Sequence, residues 1–318
     1  MKLSLIIPTL NRPKSLDDCF HSISLCGVKP DEIIVVDQSD DEDIAKDNEI
    51  VCRTLVSAKR IVADYKSITR ARNIGMEHAS GDIFIFSDDD VTFPANFFEN
   101  VSKLFSDNKL GLLGTFNSLD CKSKRGLRLS AHIFDFREHF HKEPGYITKS
   151  MLGVLPPQKA GAVQTTWAMG YCFCIRRSIT EAHGLNFDEN MRGYAFNEDL
   201  DFTMRYCRAA KDDGYRCEYN GNVWVEHHVS QEYRTPSLIF YLAWLGNRYY
   251  MLKKERKTKN NFYVWLTYVG ILSRLKLHHD RFAIQNLKKA HKIIKGSLDA
   301  IQNGNLDYAN ILEAQIDE

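Results

Sequence analysis

The 318-residue chain carries 42 Lys/Arg against 41 Asp/Glu and is 44% hydrophobic, the proportions of an ordinary globular protein and too long for a disulfide-stapled module. Its net charge of +1 hides unlike parts: residues 234–298 hold 14 Lys/Arg and 2 Asp/Glu, residues 299–318 hold 5 acids and no base, and residues 1–233 hold 28 bases and 34 acids. An acidic body without a binding motif excludes nucleic acid as the expected partner, and no segment reaches the roughly 20 apolar residues of a membrane-spanning helix.

At the start of the chain, Leu3–Ile7 reads as a strand, and its apolar run is too short for a signal peptide and stops at Pro8. Pro13 then opens an amphipathic helix with Leu16, Cys19, Phe20 and Ile23 on one face. Glu32–Val36, apolar as buried parallel strands are, ends at Asp37, and Ser39–Glu49 reads as an acidic, solvated loop. A helix from Ser67 to His78 and the turn Ser80-Gly81-Asp82 lead into the strand Ile83–Phe86, which runs into Ser87-Asp88-Asp89-Asp90; Phe93-Pro94-Ala95 looks like the next helix start.

Residues 117–165 are less periodic, and the Pro156-Pro157 pair points to a functional excursion. Trp167–Arg176 reads as a strand, Glu198–Ala210 as a helix, and Tyr215–Tyr219 and Val223–Val225 as short strands before His227-His228. Beyond Pro236 come the helical patterns Ser237–Leu252 and Phe262–Leu272, rich in aromatics and Lys/Arg, so the boundary is placed near residue 232. The eight cysteines have no CxxC or framework spacing and read as reduced core thiols, in line with a cytoplasmic compartment.

The alternation of strands and helices predicts an α/β fold with a mostly parallel central sheet and a C-terminal helical extension. Asp37 and Asp88–Asp90 then fall just past strand ends, the edge of an open α/β sheet where ligands bind. Three consecutive aspartates repel one another unless a cation offsets them, and oxygen ligands point to Mg²⁺ or Mn²⁺ rather than zinc. A turn capping the next helix is the structural alternative.

In order along the chain come Ile6-Ile7-Pro8-Thr9, Val35-Val36-Asp37, Ala71-Arg72-Asn73-Ile74-Gly75, Phe86-Ser87-Asp88-Asp89-Asp90, and Asn197-Glu198-Asp199-Leu200-Asp201 with Arg205. This ordered set resembles family 2 glycosyltransferases of the GT-A fold over about residues 2–230. The resemblance implies a catalytic domain at 1–232 and a helical, basic region at 233–318. It also implies a metal-dependent, inverting transfer of a sugar from a nucleotide diphosphate, with UDP or dTDP favoured over GDP. The acceptor would be a hydroxyl of a glycan or lipid-linked glycan in surface polysaccharide synthesis.

By the same resemblance, Pro8, Thr9 and Asp37 line the base and ribose pocket, Arg72 and Asn73 (or Arg70) border it, and Asp88 and Asp89 face the donor. Asp90 holds the Mn²⁺ or Mg²⁺ ion, Asp199 is the base, and Glu198 positions or caps. Trp167, Gly170 and Tyr171 lie on the acceptor side. A histidine is expected at the metal; adjacent strand residues face opposite ways, so one of the pair serves, and His228 is favoured. Each residue keeps a duller alternative as a cap, surface charge or buried strand position.

Two other functions fit parts of the pattern. Asp88-Asp89-Asp90-Val91-Thr92 matches the nucleophile motif of haloacid-dehalogenase-type phosphatases, with Asp88 and Asp90 as the acting acids, although that motif normally follows a first strand. A non-catalytic nucleotide-sugar-binding protein is the third reading. For the basic C-terminal region, peripheral contact with an anionic membrane at its inner face and simple packing on the catalytic domain both remain open.

Overall fold

The computed structural model describes residues 1–119, 145–158, 161–193, 195–230 and 237–313. Strand β1 (Leu3–Thr9), buried along its whole length, lies inside the sheet. It pairs in parallel with β2 (Glu32–Asp37) on one side, beyond which lies the parallel β3 (Ala58–Val62), and with β4 (Ile83–Ser87) on the other. The sheet continues from β4 through β8 (Cys172–Arg176) and β6 (Leu110–Asn117), each antiparallel to its predecessor, to β9 (Arg216–His227), which runs parallel to β6. Two short strands, β5 (Val91–Thr92) and β7 (Ala162–Gln164), pair antiparallel with β9.

Successive strands step outward from β1 to β3, and the chain then returns to the other side of β1 to make β4. The crevice at that reversal, beyond the carboxyl ends of β1 and β4, is where an open α/β sheet accepts a ligand. Side-chain alternation along these strands builds two cores. Leu5, Ile7, Val35 and Ile85 pack against α1 (Pro13–Ser24) and α4 (Phe97–Phe105). Ile6, Ile34, Phe84 and Phe86 face the other way, toward α3 (Ile68–His78), α5 (Arg177–His183) and α6 (Glu198–Asp212).

The structure corrects several element assignments. Ser39–Glu49 is not all loop, because α2 (Glu42–Arg53) starts inside it, capped by Asp41, which accepts from the amides of Asp43 and Ile44 at 2.9 and 3.1 Å. The buried apolar residues of α2 come late, at Val51 and Cys52, and its first turn is dominated by acids, so that part looks solvated in sequence. Helix α4 begins at Phe97, after a turn in which the Phe97 amide donates to the Pro94 carbonyl at 2.9 Å. The strand expected from Trp167 shortens to β8, because the amides of Ala168, Met169 and Gly170 donate to Thr203, Tyr219 and Asp199 side chains instead of to a neighbouring strand. The two short strands expected before the histidines form one strand, β9, and β3, β5, β6 and β7 had no sequence assignment.

Beyond the sheet come α7 (Ser237–Lys254), a 3₁₀ turn (Thr258–Asn260), α8 (Asn261–Leu277), α9 (Arg281–Gly296) and the short α10 (Leu298–Gln302) and α11 (Tyr308–Glu313). Leu242, Leu245 and Met251 of α7 form a third core with Leu287 and Ile294 of α9 and with Met151, Trp167 and Leu200. Lys254 closes the same interface, with Nζ 2.7 Å from Asp188 Oδ2 and 2.9 Å from Asp201 Oδ2. The boundary expected near residue 232 lies outside the described residues, as does most of the excursion within 117–165. Among the described residues no helix is long and apolar enough to cross a membrane, and the seven described cysteines are buried free thiols.

Candidate active site

The turn after β4 places three carboxylates differently. The Asp88 amide donates to the Tyr171 carbonyl at 2.9 Å, and its Oδ1 accepts from Arg72 Nη2 at 3.1 Å. Asp89 is buried, accepting from the Thr9 hydroxyl at 2.7 Å and from Arg12 Nη1 at 3.2 Å. Thr9 and Asp89, both expected to face a donor, are thus spent on each other across the β1/β4 crevice and brace the turn. Asp90 Oδ2 accepts from the Ser230 amide at 2.7 Å, and Arg12 Nη1 lies 3.8 Å from the same oxygen.

Pairing of β5 with β9 sets Val91 opposite His227, which brings that imidazole onto Asp90, with Nε2 3.2 Å from Oδ1. His228, the expected ligand, points elsewhere, its Nε2 2.9 Å from the Thr92 hydroxyl. Strand alternation makes the two histidines diverge, and the β5–β9 register sets His227 rather than His228 against Asp90. Tyr171, expected on the acceptor side, lies under the His227 ring (centroids 5.1 Å apart) with its hydroxyl bound to the Thr115 carbonyl.

Ligand atoms of Asp88, Asp90 and His227 lie within 4.8 Å of one another, and the buried Asp90 Oδ1 has the His227 imidazole beside it. Two carboxylates and an imidazole at this spacing could hold a divalent cation.

Arg72, 1% exposed, ties this cluster to the far wall. Besides Asp88 it donates to the Gly170 carbonyl (2.9 Å) and to Glu198 Oε1 (2.9 Å). Asn73 beside it is not aimed at a donor: its amide donates to the Phe187 carbonyl and Glu189 and accepts from the Phe187 amide, latching that loop to α3.

Glu198 and Asp199 lie in the first turn of α6, behind Asn197, whose φ of +72° is a left-handed conformation Asn tolerates. Asp199 Oδ1 accepts from the Leu200 amide at 2.8 Å and Oδ2 from the Gly170 amide at 2.6 Å. A Cβ on Gly170 would lie 2.9 Å from Asp199 Cβ, so the close approach expected at this glycine is made by the Asp199 side chain. Trp167 is buried, its ring against Gly153 and its Nε1 donating to the Val154 carbonyl at 3.2 Å.

At the end of β2, the buried Asp37 accepts from Arg60 Nε and Nη2, each at 2.8 Å, and from the Ser39 amide. Pro8, opposite Val36 in the β1–β2 register, is buried beside it. Sequence reading missed Arg60 because β3 went unassigned. Arg12 was also missed, although its place between the β1 motif and Pro13 was a usable signal.

Away from Asp37, the carboxylates Asp88, Asp89, Asp90, Glu198 and Asp199 share two guanidinium groups, Arg12 and Arg72, and burial is the first influence on their acidity. It pushes Asp89 up to about 7 against the pull of Arg12, and Glu198 up to about 8, with Asp199 adding to the rise and Arg72 opposing it. Asp88 and Asp199 are raised by the same burial despite Arg72. For Asp90, burial raises the pKa, but the His227 contacts and the Ser230 amide outweigh it and leave it lowered.

Residues 4–184, over half of the chain, match the family described as Glycosyl transferase family 2. A dolichol-phosphate mannosyltransferase of Pyrococcus furiosus is 33% identical over 113 residues, 35% of this chain and 31% of that protein's length. Among solved structures, the mannosyltransferase PcManGT of Pyrobaculum calidifontis with GDP-Man and Mn²⁺ aligns with a TM-score of 0.54 at 14% identity, covering 99% of this chain and 86% of that one. S. aureus TarS 1–349 with UDP-GlcNAc gives 0.54 at 15% identity, covering 100% and 92%. These similarities show a GT-A-like architecture.

Proposed function

The chain belongs to glycosyl transferase family 2; from that premise we propose that it is a glycosyltransferase that moves a sugar from a nucleoside diphosphate to an acceptor hydroxyl in one inverting displacement, with Asp199 as base. The observation that carries this reading is Arg72, which joins Asp88 of the carboxylate cluster to Gly170 and Glu198 at the mouth of α6. It links the place for an anionic leaving group to the place for a base.

In this reading, residues 1–232 are the catalytic domain and residues 233–318 a helical extension that braces the acceptor side through Trp167 and Leu200. Pro8, Asp37 and Arg60 line the nucleoside end. Thr9 and Arg12 hold Asp89, which fixes the turn so that Asp88 and Asp90 face the crevice with His227. Those three residues would hold Mn²⁺ or Mg²⁺, which when bound supplies Lewis-acid stabilisation of the negative charge on the departing diphosphate. Asp199, oriented by the Gly170 and Leu200 amides, takes the acceptor proton as its oxygen bonds to the anomeric carbon; the carbon–oxygen bond to the diphosphate breaks, and its electron pair leaves with the nucleotide. Burial raises the affinity of Asp199 for that proton. Glu198 holds Arg72 and is a positioning residue.

A glycan or lipid-linked acceptor in surface polysaccharide synthesis is the setting proposed, and the name of the Pyrococcus relative, which contains a lipid phosphate, supports it. The phosphatase reading loses its support, because the aspartates follow the fourth strand and the family is a transferase. The test is nucleoside diphosphate release from UDP-, dTDP- and GDP-sugars with Mn²⁺ and glycan acceptors, with the product anomer assigned by NMR. Release that requires donor, cation and acceptor together, with inversion, is expected; retention of configuration, or phosphate release from simple phosphomonoesters, would overturn the proposal.

A further inference from the structure

Helix α8 has no acidic residue and is apolar on nearly every side. Such a helix is normally buried all round, yet only Val264, Thr267 and Gly270 are buried, marking the stripe turned onto its neighbours. On the opposite side, at helical spacings of three, four and seven, run Phe262, Trp265, Leu266 and Val269. Phe262 is 57% and Trp265 43% exposed, with their rings stacked at 5.7 Å. Leu266 and Val269 are half-buried, so the exposed part of the stripe is the Phe262–Trp265 pair.

Helix α9 returns alongside, its His291 stacked on Tyr268 of α8 at 4.0 Å. It buries Leu287, Ala290, Ile293 and Ile294 and turns Arg281, Lys288, Lys292 and Lys295 outward; it too has no acid. The hairpin thus presents a helix that is apolar up to Arg274 and Lys276 in its last turn beside a cationic one. Leu277 and Phe282, flanking its tip, are exposed as well.

We propose that this face docks the protein on an anionic membrane surface, with α8 lying in the plane of the interface. Its aromatic stripe enters the boundary between headgroups and acyl chains, while the α9 cations meet lipid phosphates. A second copy docking through a twofold axis perpendicular to the helices would set the basic faces against each other, whereas an anionic bilayer offers acyl chains to the aromatic stripe and phosphates to the lysines. Docking does not depend on the transfer reaction. Its consequence for a lipid-borne acceptor does rest on the proposed function, because the hairpin shares a core with Trp167 and Leu200.

The experiment is flotation of the full chain with phosphatidylcholine vesicles, with and without phosphatidylglycerol, at low and high salt. Quenching by bromolipids is recorded in parallel. Expected are binding that needs the anionic lipid and weakens with salt, and quenching that disappears in Trp265→Phe. Phe262→Ser/Trp265→Ser should lower vesicle partition at least tenfold without changing thermal unfolding, and Lys288→Glu/Lys292→Glu should lower it at least fivefold per lysine. No flotation at low salt, binding indifferent to anionic lipid, or binding that survives both pairs of substitutions would overturn the proposal. So would a dimer that shields Trp265 in solution and leaves vesicles unbound.

Discussion

The carboxylate crevice and the α8–α9 face depart from the usual partition of a folded chain in opposite directions. The crevice takes ionisable groups out of water: Asp89, Asp90, Arg72 and Asp199 are all buried. The hairpin leaves Phe262 and Trp265 in water. Buried charge persists only where partners or a ligand offset it, and exposed apolar surface is stabilised only by something that covers it. Both regions are therefore read as incomplete without a ligand, a cation with its nucleotide in one and a lipid surface in the other.

The largest expected effect separates chemistry from binding within the crevice. Asp199→Asn should lower kcat by about 10²–10⁴-fold while leaving donor affinity, measured by calorimetry, within a few fold. Near-normal turnover would remove Asp199 as the base. Next comes the histidine. His227→Ala should weaken Mn²⁺-dependent donor binding by at least tenfold, and His228→Ala should stay near wild type; the reverse order would return the ligand to His228.

Gly170→Ala tests how tightly the base is held. The added methyl meets Asp199, so a loss of about 1–3 kcal/mol in urea unfolding is expected together with a lower kcat; unchanged values for both would contradict the close approach.

A smaller effect comes from pH. Glu198 binds its proton more tightly folded than unfolded, so its contribution to stability is complete below pH of about 4 and is lost as pH rises through about 8. In chelator the Tm should therefore fall by a few degrees between pH 5 and pH 8.5, and Glu198→Gln should flatten that slope. A Tm that rises over this range, or a slope unchanged in the variant, would break the account of burial. The smallest effect joins the two regions: Lys254→Met takes a cation from Asp188 and Asp201 but leaves Arg205 on Asp201, so about 1 kcal/mol is expected by urea titration. A loss several times larger would mean that the helices hold the catalytic half together.

Strands ending near Ile7, Val36 and Phe86 were legible because buried parallel strands are mostly apolar runs, and the polar residues just beyond them, Thr9, Asp37 and Asp88, mark the ligand edge of the sheet. The roles of particular polar groups were not legible. Nothing local distinguishes Asp89 from Asp88; the difference is Thr9, far away in the chain and brought alongside by the β1/β4 reversal. Likewise, alternation shows that His227 and His228 diverge, but only the register of β5 on β9 decides which one meets Asp90. Trp167–Tyr171 read as strand because its composition is that of a strand, while its backbone bonds go to side chains of α6 and β9. In the C-terminal region the basic and aromatic composition was visible, but that the exposed aromatics gather on α8 and most of the hairpin's lysines on α9 became clear only in the folded hairpin.

The central claim is that Asp90 gathers a cation for an anionic donor while Asp199 does not. Thermal shift with a panel of UDP-, dTDP- and GDP-sugars, each with Mn²⁺ or with chelator, tests it directly on wild type, Asp90→Asn and Asp199→Asn. The account predicts stabilisation by at least one nucleotide sugar that vanishes with chelator and in Asp90→Asn but survives in Asp199→Asn. Equal stabilisation with chelator, or a full Mn²⁺-dependent shift in Asp90→Asn, would contradict it.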